Sequence, residues 1–328
     1  MFVSAVAVAV AWLAGRALHA VHTPADAAAH VLLLVGAFVL ARLPLRALAA
    51  LRAGRTREVY SLSHVLLNLT DPGTLWNNMG LWRDVAPDDF PAAATALAAR
   101  LALAAALGPA DRLLDIGVGC GDQTLLYAPQ VAAYTGVTSL DAQAAVAARR
   151  CKGLAHAALY TLDASRPQSW PAAALERAAD CNKIVALDCL YHLAPDRREF
   201  LTYAHSLLAA GGAFAAADLV RGDSPSFLQQ LGLRVVCAFA HTPVANFVTV
   251  ADYVRLLESC GFTAAAGWTV SVEDVSADVF DGLARFIKRR DASLGAHLQF
   301  KPYSSFAKVL AWWARSGVVR SVVVTVRK

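Results

Sequence analysis

The residues best suited to chemistry begin with the string Arg112-Leu-Leu-Asp-Ile-Gly-Val-Gly-Cys-Gly-Asp122. A short apolar strand runs into glycines at the alternating positions 117, 119 and 121. Glycine lets a backbone turn tightly and approach a ligand with no Cβ in the way. An acid, Asp115, precedes the first glycine by two residues, and no Gly-Lys-Ser/Thr follows the loop. A phosphate cradle for a nucleoside triphosphate is therefore not supported. Farther on stands Tyr191-His192, and imidazole is the side chain whose ordinary pKa suits proton transfer near neutrality. His192 equally suits the cap of a following helix. Between residues 75 and 82 the chain reads Leu-Trp-Asn-Asn-Met-Gly-Leu-Trp. Two tryptophans, two amides and a methionine suit a lid that excludes water, and they suit an anchor packed on the domain as well.

Such groups need a frame. Apolar runs at 113–116, 132–137, 157–162, 184–187 and 213–219 alternate with helix-length segments. That alternation predicts an α/β fold, a doubly wound, mostly parallel sheet with helices on both faces. Ligands bind such a sheet beyond the carboxyl ends of its strands, at the topological switch point. The glycine string and His192 both follow predicted strands, so both belong at that edge.

Composition narrows the class further. Hydrophobic residues make up 57% of the 328, charged residues 17%, which excludes a disordered chain. The six cysteines form no Cys-x-x-Cys pair, so neither a disulfide framework nor a zinc knuckle is expected and no metal site is assigned. The net charge of +5 sits wholly in residues 1–57, where six arginines face Asp26 alone. The same segment holds two apolar runs, Met1 to Gly15 and Ala27 to Ala41. Cations flanking apolar runs are a membrane pattern and not a nucleic-acid footprint. Residues 1–57 are thus read as a membrane anchor with one or two hydrophobic helices and a basic flank, and residues 58–328 as the catalytic domain. Spanning hairpin, single span and interfacial pair all stay open, as does packing of both runs on the domain. The arginine cluster places the domain on the cytoplasmic side, of the endoplasmic reticulum in a eukaryote.

The glycine string resembles the first motif of the class I S-adenosylmethionine-dependent methyltransferases, an apolar strand followed by D-x-G-x-G-x-G. The resemblance extends along the chain in order. Tyr134-Thr-Gly-Val-Thr-Ser-Leu-Asp-Ala-Gln143 is similar to the second-strand segment of the branch acting on lipids, sterols, tocopherols and quinones, with arginines in the next helix as at 149 and 150. Leu162-Asp-Ala164, Ala186-Leu-Asp-Cys-Leu-Tyr-His-Leu193, Leu207-Leu-Ala-Ala-Gly-Gly212 and Asp252–Phe262 resemble the later motifs.

What the resemblance implies is specific. Asp115, Gly117, Gly119 and Gly121 would serve the methionine end of S-adenosylmethionine, Thr138 and Gln143 the ribose, and Asp163 with Ala164 the adenine. For Asp163 a plain surface turn is the competing reading. Asp188 would join the cofactor set. His192 and Tyr191 would be catalytic. Cyclopropane-synthase relatives carry a Glu where Tyr191 stands, so ordinary methylation is expected rather than ring closure. Trp76, Asn78, Met79 and Trp82 would cover the acceptor, a hydrophobic small molecule or lipid, with a soluble small metabolite, or a cofactor-binding domain without turnover, as the alternatives. Trp170 is either a stacking partner or core.

Overall fold

The computed structural model describes residues 67, 68, 73–294 and 301–328. The anchor expected in residues 1–57 lies outside them. Among the described residues no helix is long and apolar enough to cross a membrane.

Five parallel strands form the frame: β1 (Arg112–Ile116), β2 (Ala133–Thr138), β3 (Ala157–Thr161), β4 (Lys183–Leu187) and β5 (Ala213–Arg221). Two more follow, β6 (Thr269–Asp274) and β7 (Val319–Arg327), giving the order β3-β2-β1-β4-β5-β7-β6. Only β7 runs antiparallel to its neighbours β5 and β6. Strands β4 and β5 are buried almost throughout, as apolar runs covered on both faces must be. The order reverses between β1 and β4, so the crevice lies at their carboxyl ends.

Helices cover both faces. They are α1 (Phe90–Ala105), α2 (Asp122–Tyr127), α3 (Asp141–Arg150), α4 (Ala172–Ala179), α5 (Arg198–Leu207), α6 (Phe227–Phe239), α7 (Val250–Ser259), α8 (Ser276–Leu294) and α9 (Lys301–Ser316). Helix α1 starts where Asp89 accepts from the Ala92 N–H, with Pro91 just inside. Helix α6 starts with a reciprocal capping box between Ser226 and Gln229. Two hydrophobic clusters fill the spaces on either side of the sheet. One is built on α1, α8 and α9, the other on α4, α5 and α7. Helix α6 lies between β5 and β6, and α8 and α9 lie between β6 and β7.

Candidate active site

A cavity of about 390 Å³ opens at the carboxyl ends of β1 to β4. Gly117, Gly119, Thr138, Gln143, Asp163, Ala164, Asp188, His192 and Trp76 all line it. Residues from 76 to 192 thus meet at one sheet edge: all but Trp76 follow or end a parallel strand, and Trp76 comes from the segment ahead of the first helix.

The loop after β1 makes the floor. Gly117 has φ +83° and passes so close to Cys189 that a Cβ would sit 2.7 Å from the cysteine Cβ. Only glycine lets the loops after β1 and β4 approach this closely. Gly119 has φ +55°, and a Cβ there would meet no atom within 4 Å, so any side chain would project into open cavity. Gly121 lies elsewhere: it caps α2 against Ala147 of α3 and does not line the cavity.

Asp115 is fully buried beneath the loop rather than in the lining. Its carboxylate accepts from the Tyr134 hydroxyl at 2.6 Å and from Gln123 Nε2 at 3.1 Å. Burial pushes its pKa up to about 7. Gln123 lines the cavity, so any influence of Asp115 on a ligand passes through that amide. Gln123 was not singled out from the sequence, although it lies eight residues past Asp115 on α2, one turn from the loop.

On the other side of the loop, Thr138 and Gln143 face each other, with Oγ1 donating to Oε1 at 3.4 Å. Asp163 closes its own turn, accepting from the Ser165 N–H at 2.8 Å and the Ser165 hydroxyl at 2.7 Å. Ala164 beside it is buried against the cavity. Trp170 is core: it packs edge-on to Tyr203 and donates its indole N–H to the Asp163 carbonyl at 2.9 Å.

The segment over the mouth divides the two roles expected of it. Trp76, with Leu75 and Asn77, lines the cavity. Asn78 instead ties the chain to α1, donating to the Ala94 carbonyl at 3.1 Å while accepting from the Gly80 N–H. The Met79 side chain is core, and Trp82 packs 5.5 Å from the Phe286 ring while its indole N–H donates to the Met79 carbonyl. These three side chains anchor the segment and do not line the cavity. Two carboxylates fasten its backbone. The Leu75 N–H donates to Asp122, which Arg150 holds through two contacts of 2.6 and 2.7 Å. The Met79 N–H donates to Asp188 Oδ2 at 2.7 Å.

His192 lines the cavity but is not the near-neutral base expected from its type. Burial drives its pKa down to about 4, so it is an uncharged imidazole at neutral pH. Its Nδ1 lies 3.3 Å from the Thr242 hydroxyl. Tyr191 turns into the core with its ring 4.3 Å from the imidazole and does not line the cavity. A buried network holds this turn: Asn246 donates to the carbonyls of Tyr191 and Leu193 and accepts from Arg197, which pairs with Asp218. Cys189 and Cys120 also line the cavity, with burial pushing both thiols up, Cys120 to about 11. Neither is a thiolate at neutral pH. Among the described residues no three His, Cys, Asp or Glu gather to hold a metal ion.

Among the described residues no lysine or arginine lines the cavity, which suits a nucleoside better than a triphosphate. It offers an open glycine cradle and a hydroxyl–amide pair after β1 and β2, and on the β4 side the Asp188 Oδ1, a buried oxygen without a partner. Comparison with known proteins agrees. Residues 90–266 match the model of a family described as a methyltransferase domain. The fold is similar to a cyclopropane synthase from Mycobacterium tuberculosis, at TM-score 0.62 and 18% identity over 82% of this chain and 95% of that one. It is similar to geranyl diphosphate C-methyltransferase from Streptomyces coelicolor A3(2), at TM-score 0.57 and 16% identity over 84% and 99%. A third similar structure, the cyclase SpnF, gives TM-score 0.59 at 20% identity over 83% and 94%. Since the family model spans more than half of the sequence, and its glycine loop builds the floor of the cavity, the chain belongs to the class I S-adenosylmethionine-dependent methyltransferases.

Proposed function

We propose that the enzyme methylates a hydrophobic small molecule or lipid at a membrane surface, held there by residues 1–57 with its catalytic domain on the cytoplasmic side. The observation that carries this reading is the outer face of α6. Phe227, Leu228, Leu231, Val235 and Phe239 are all exposed, Phe227 at 78% and Phe239 at 65%. At 3.6 residues per turn they fall within one arc of about 120°. The only charged residue of α6 is Arg234, so no acid opposes an anionic lipid surface. The chain leaving α6 reaches the site at once through Thr242, beside His192. An apolar helix thus stands at the rim of a cavity whose walls include Leu75, Trp76, Leu187 and Leu193.

The cofactor supplies a methyl group on a sulfonium sulfur, already activated for displacement. The protein's contribution is positioning and exclusion of water. Gly117 and Gly119 let the backbone approach the methionine portion. Thr138 and Gln143 suit the ribose hydroxyls, and the Asp163–Ala164 turn suits the adenine. Trp76 roofs the cavity and limits water entry.

Incubating the full-length protein with cofactor carrying a radioactive methyl group and a whole-cell extract, then partitioning into organic solvent, tests the reading. Label is expected in the organic phase. Label confined to the aqueous phase would assign a soluble metabolite instead.

A further inference from the structure

Within the reading of the chain as a methyltransferase, we infer that Asp188 is the acceptor-recognition group and that the acceptor is a protic heteroatom, an O–H or N–H, rather than a carbon–carbon double bond. Asp188 is 7% exposed, lines the cavity, and has one oxygen on the Met79 N–H. Its other oxygen, Oδ1, is buried without a partner. A buried carboxylate oxygen left unpaired is costly, so it marks a place where a donor binds. The backbone at Asp188 has φ +51°, a left-handed conformation that a non-glycine residue holds only under constraint. Asp188 begins the loop after β4, and His192 follows it in the same loop. The family resemblance put Asp188 with the cofactor, but the other residues it assigns there follow β1, β2 and β3, so the β4 loop is the side left to the acceptor.

The chemistry balances. A lone pair on the acceptor oxygen or nitrogen forms the new bond to the methyl carbon. The carbon–sulfur bond breaks and its electron pair stays on sulfur, discharging the sulfonium. The acceptor proton passes to the Asp188 carboxylate. Burial lifts the Asp188 pKa to about 7, which suits a base near neutrality, whereas His192 at about 4 is a poor one. An alkene acceptor gives no proton to Oδ1 before methylation and would leave it unpaired in the bound state.

Asp188→Asn tests this without disturbing the fold, since asparagine tolerates the left-handed backbone and can accept from the Met79 N–H. Calorimetry with S-adenosylhomocysteine should give affinity within a few-fold of the parent. A loss of a hundredfold or more would place Asp188 on the cofactor and overturn the inference. In cell extract given cofactor with a ¹³C methyl group, nuclear magnetic resonance should show the label on oxygen or nitrogen, and the variant should be slower by about 10²–10⁴-fold. Label on carbon, or full-rate transfer by the variant, would overturn it. The linkage decides this inference whether the product is organic or aqueous, while the phase alone decides the proposed acceptor class.

Discussion

Three residues carry most of the account, and each is open to a single change. Gly119→Val places a branched side chain in the open space over the glycine loop. Cofactor binding should vanish from calorimetry, while circular dichroism stays native apart from the strain of a β-branched residue at positive φ, about 1–2 kcal/mol. Retained affinity in a folded variant would remove the cofactor site from this loop. His192 and Asp188 give opposite pH signatures. The His192 pKa falls from 6.5 to about 4 on folding, so the unfolded chain takes up a proton that the native state refuses. Its contribution to stability is present above pH 6.5 and is lost as pH falls toward 4. The Asp188 pKa rises from 3.8 to about 7, so the native state holds a proton the unfolded chain has lost, and stability drops as pH rises through that window. Asp188→Asn should therefore raise the apo melting temperature at pH 8 and leave it nearly unchanged at pH 3. His192→Gln should abolish the acid-side loss and slow turnover by no more than about tenfold, since an imidazole with a pKa of about 4 is too weak a base to carry the proton transfer. A ten-thousandfold drop would restore His192 as the base.

At the scale of elements, the glycine loop and the strands around it were legible because both are local. An apolar run followed by alternating glycines needs only a dozen residues to be recognised. The positions lining the cavity after β2 and β3 came from the family resemblance of the segments around Thr138 and Asp163. What the sequence concealed is set by partners far away along the chain. Asp122 looks like a solvated helix-start acid until Arg150, 28 residues on, closes on it and on the Cys120 and Gly73 carbonyls. The low His192 pKa depends on burial, and Thr242, which lies 3.3 Å from its Nδ1, is 50 residues on. Asn78, Met79 and Trp82 have the composition of a lid, but α1 and α8 supply surfaces that take all three inward. Arg150→Met should free the strap from Gly73 to Leu75. It should cost about 2 kcal/mol of stability through the lost charge-assisted contacts and speed amide exchange there. Unchanged exchange would mean that Asn78 and Asp188 hold the strap alone. The Arg197–Asp218 pair is fully buried. Removing one member as Arg197→Met should cost about 3–5 kcal/mol in denaturant titration, because Asp218 is left in the core without its counter-ion.

For the whole molecule, the division of charge is the organising fact. Residues 1–57 carry the entire +5 and the two apolar runs, leaving residues 58–328 formally neutral. Removing residues 1–57 should give a protein that still binds cofactor but pellets poorly with membranes. Full retention on alkaline-washed membranes would transfer anchoring to α6. The central claim, methyl transfer to a protic heteroatom of a hydrophobic acceptor, is tested most directly by mass spectrometry of a lipid extract incubated with the full chain and cofactor bearing a trideuterated methyl group. The expected product is a lipid in which one hydrogen on oxygen or nitrogen is replaced by the intact trideuterated methyl group. A product that has lost a deuteron to ring closure, or label found only among water-soluble metabolites, would contradict it.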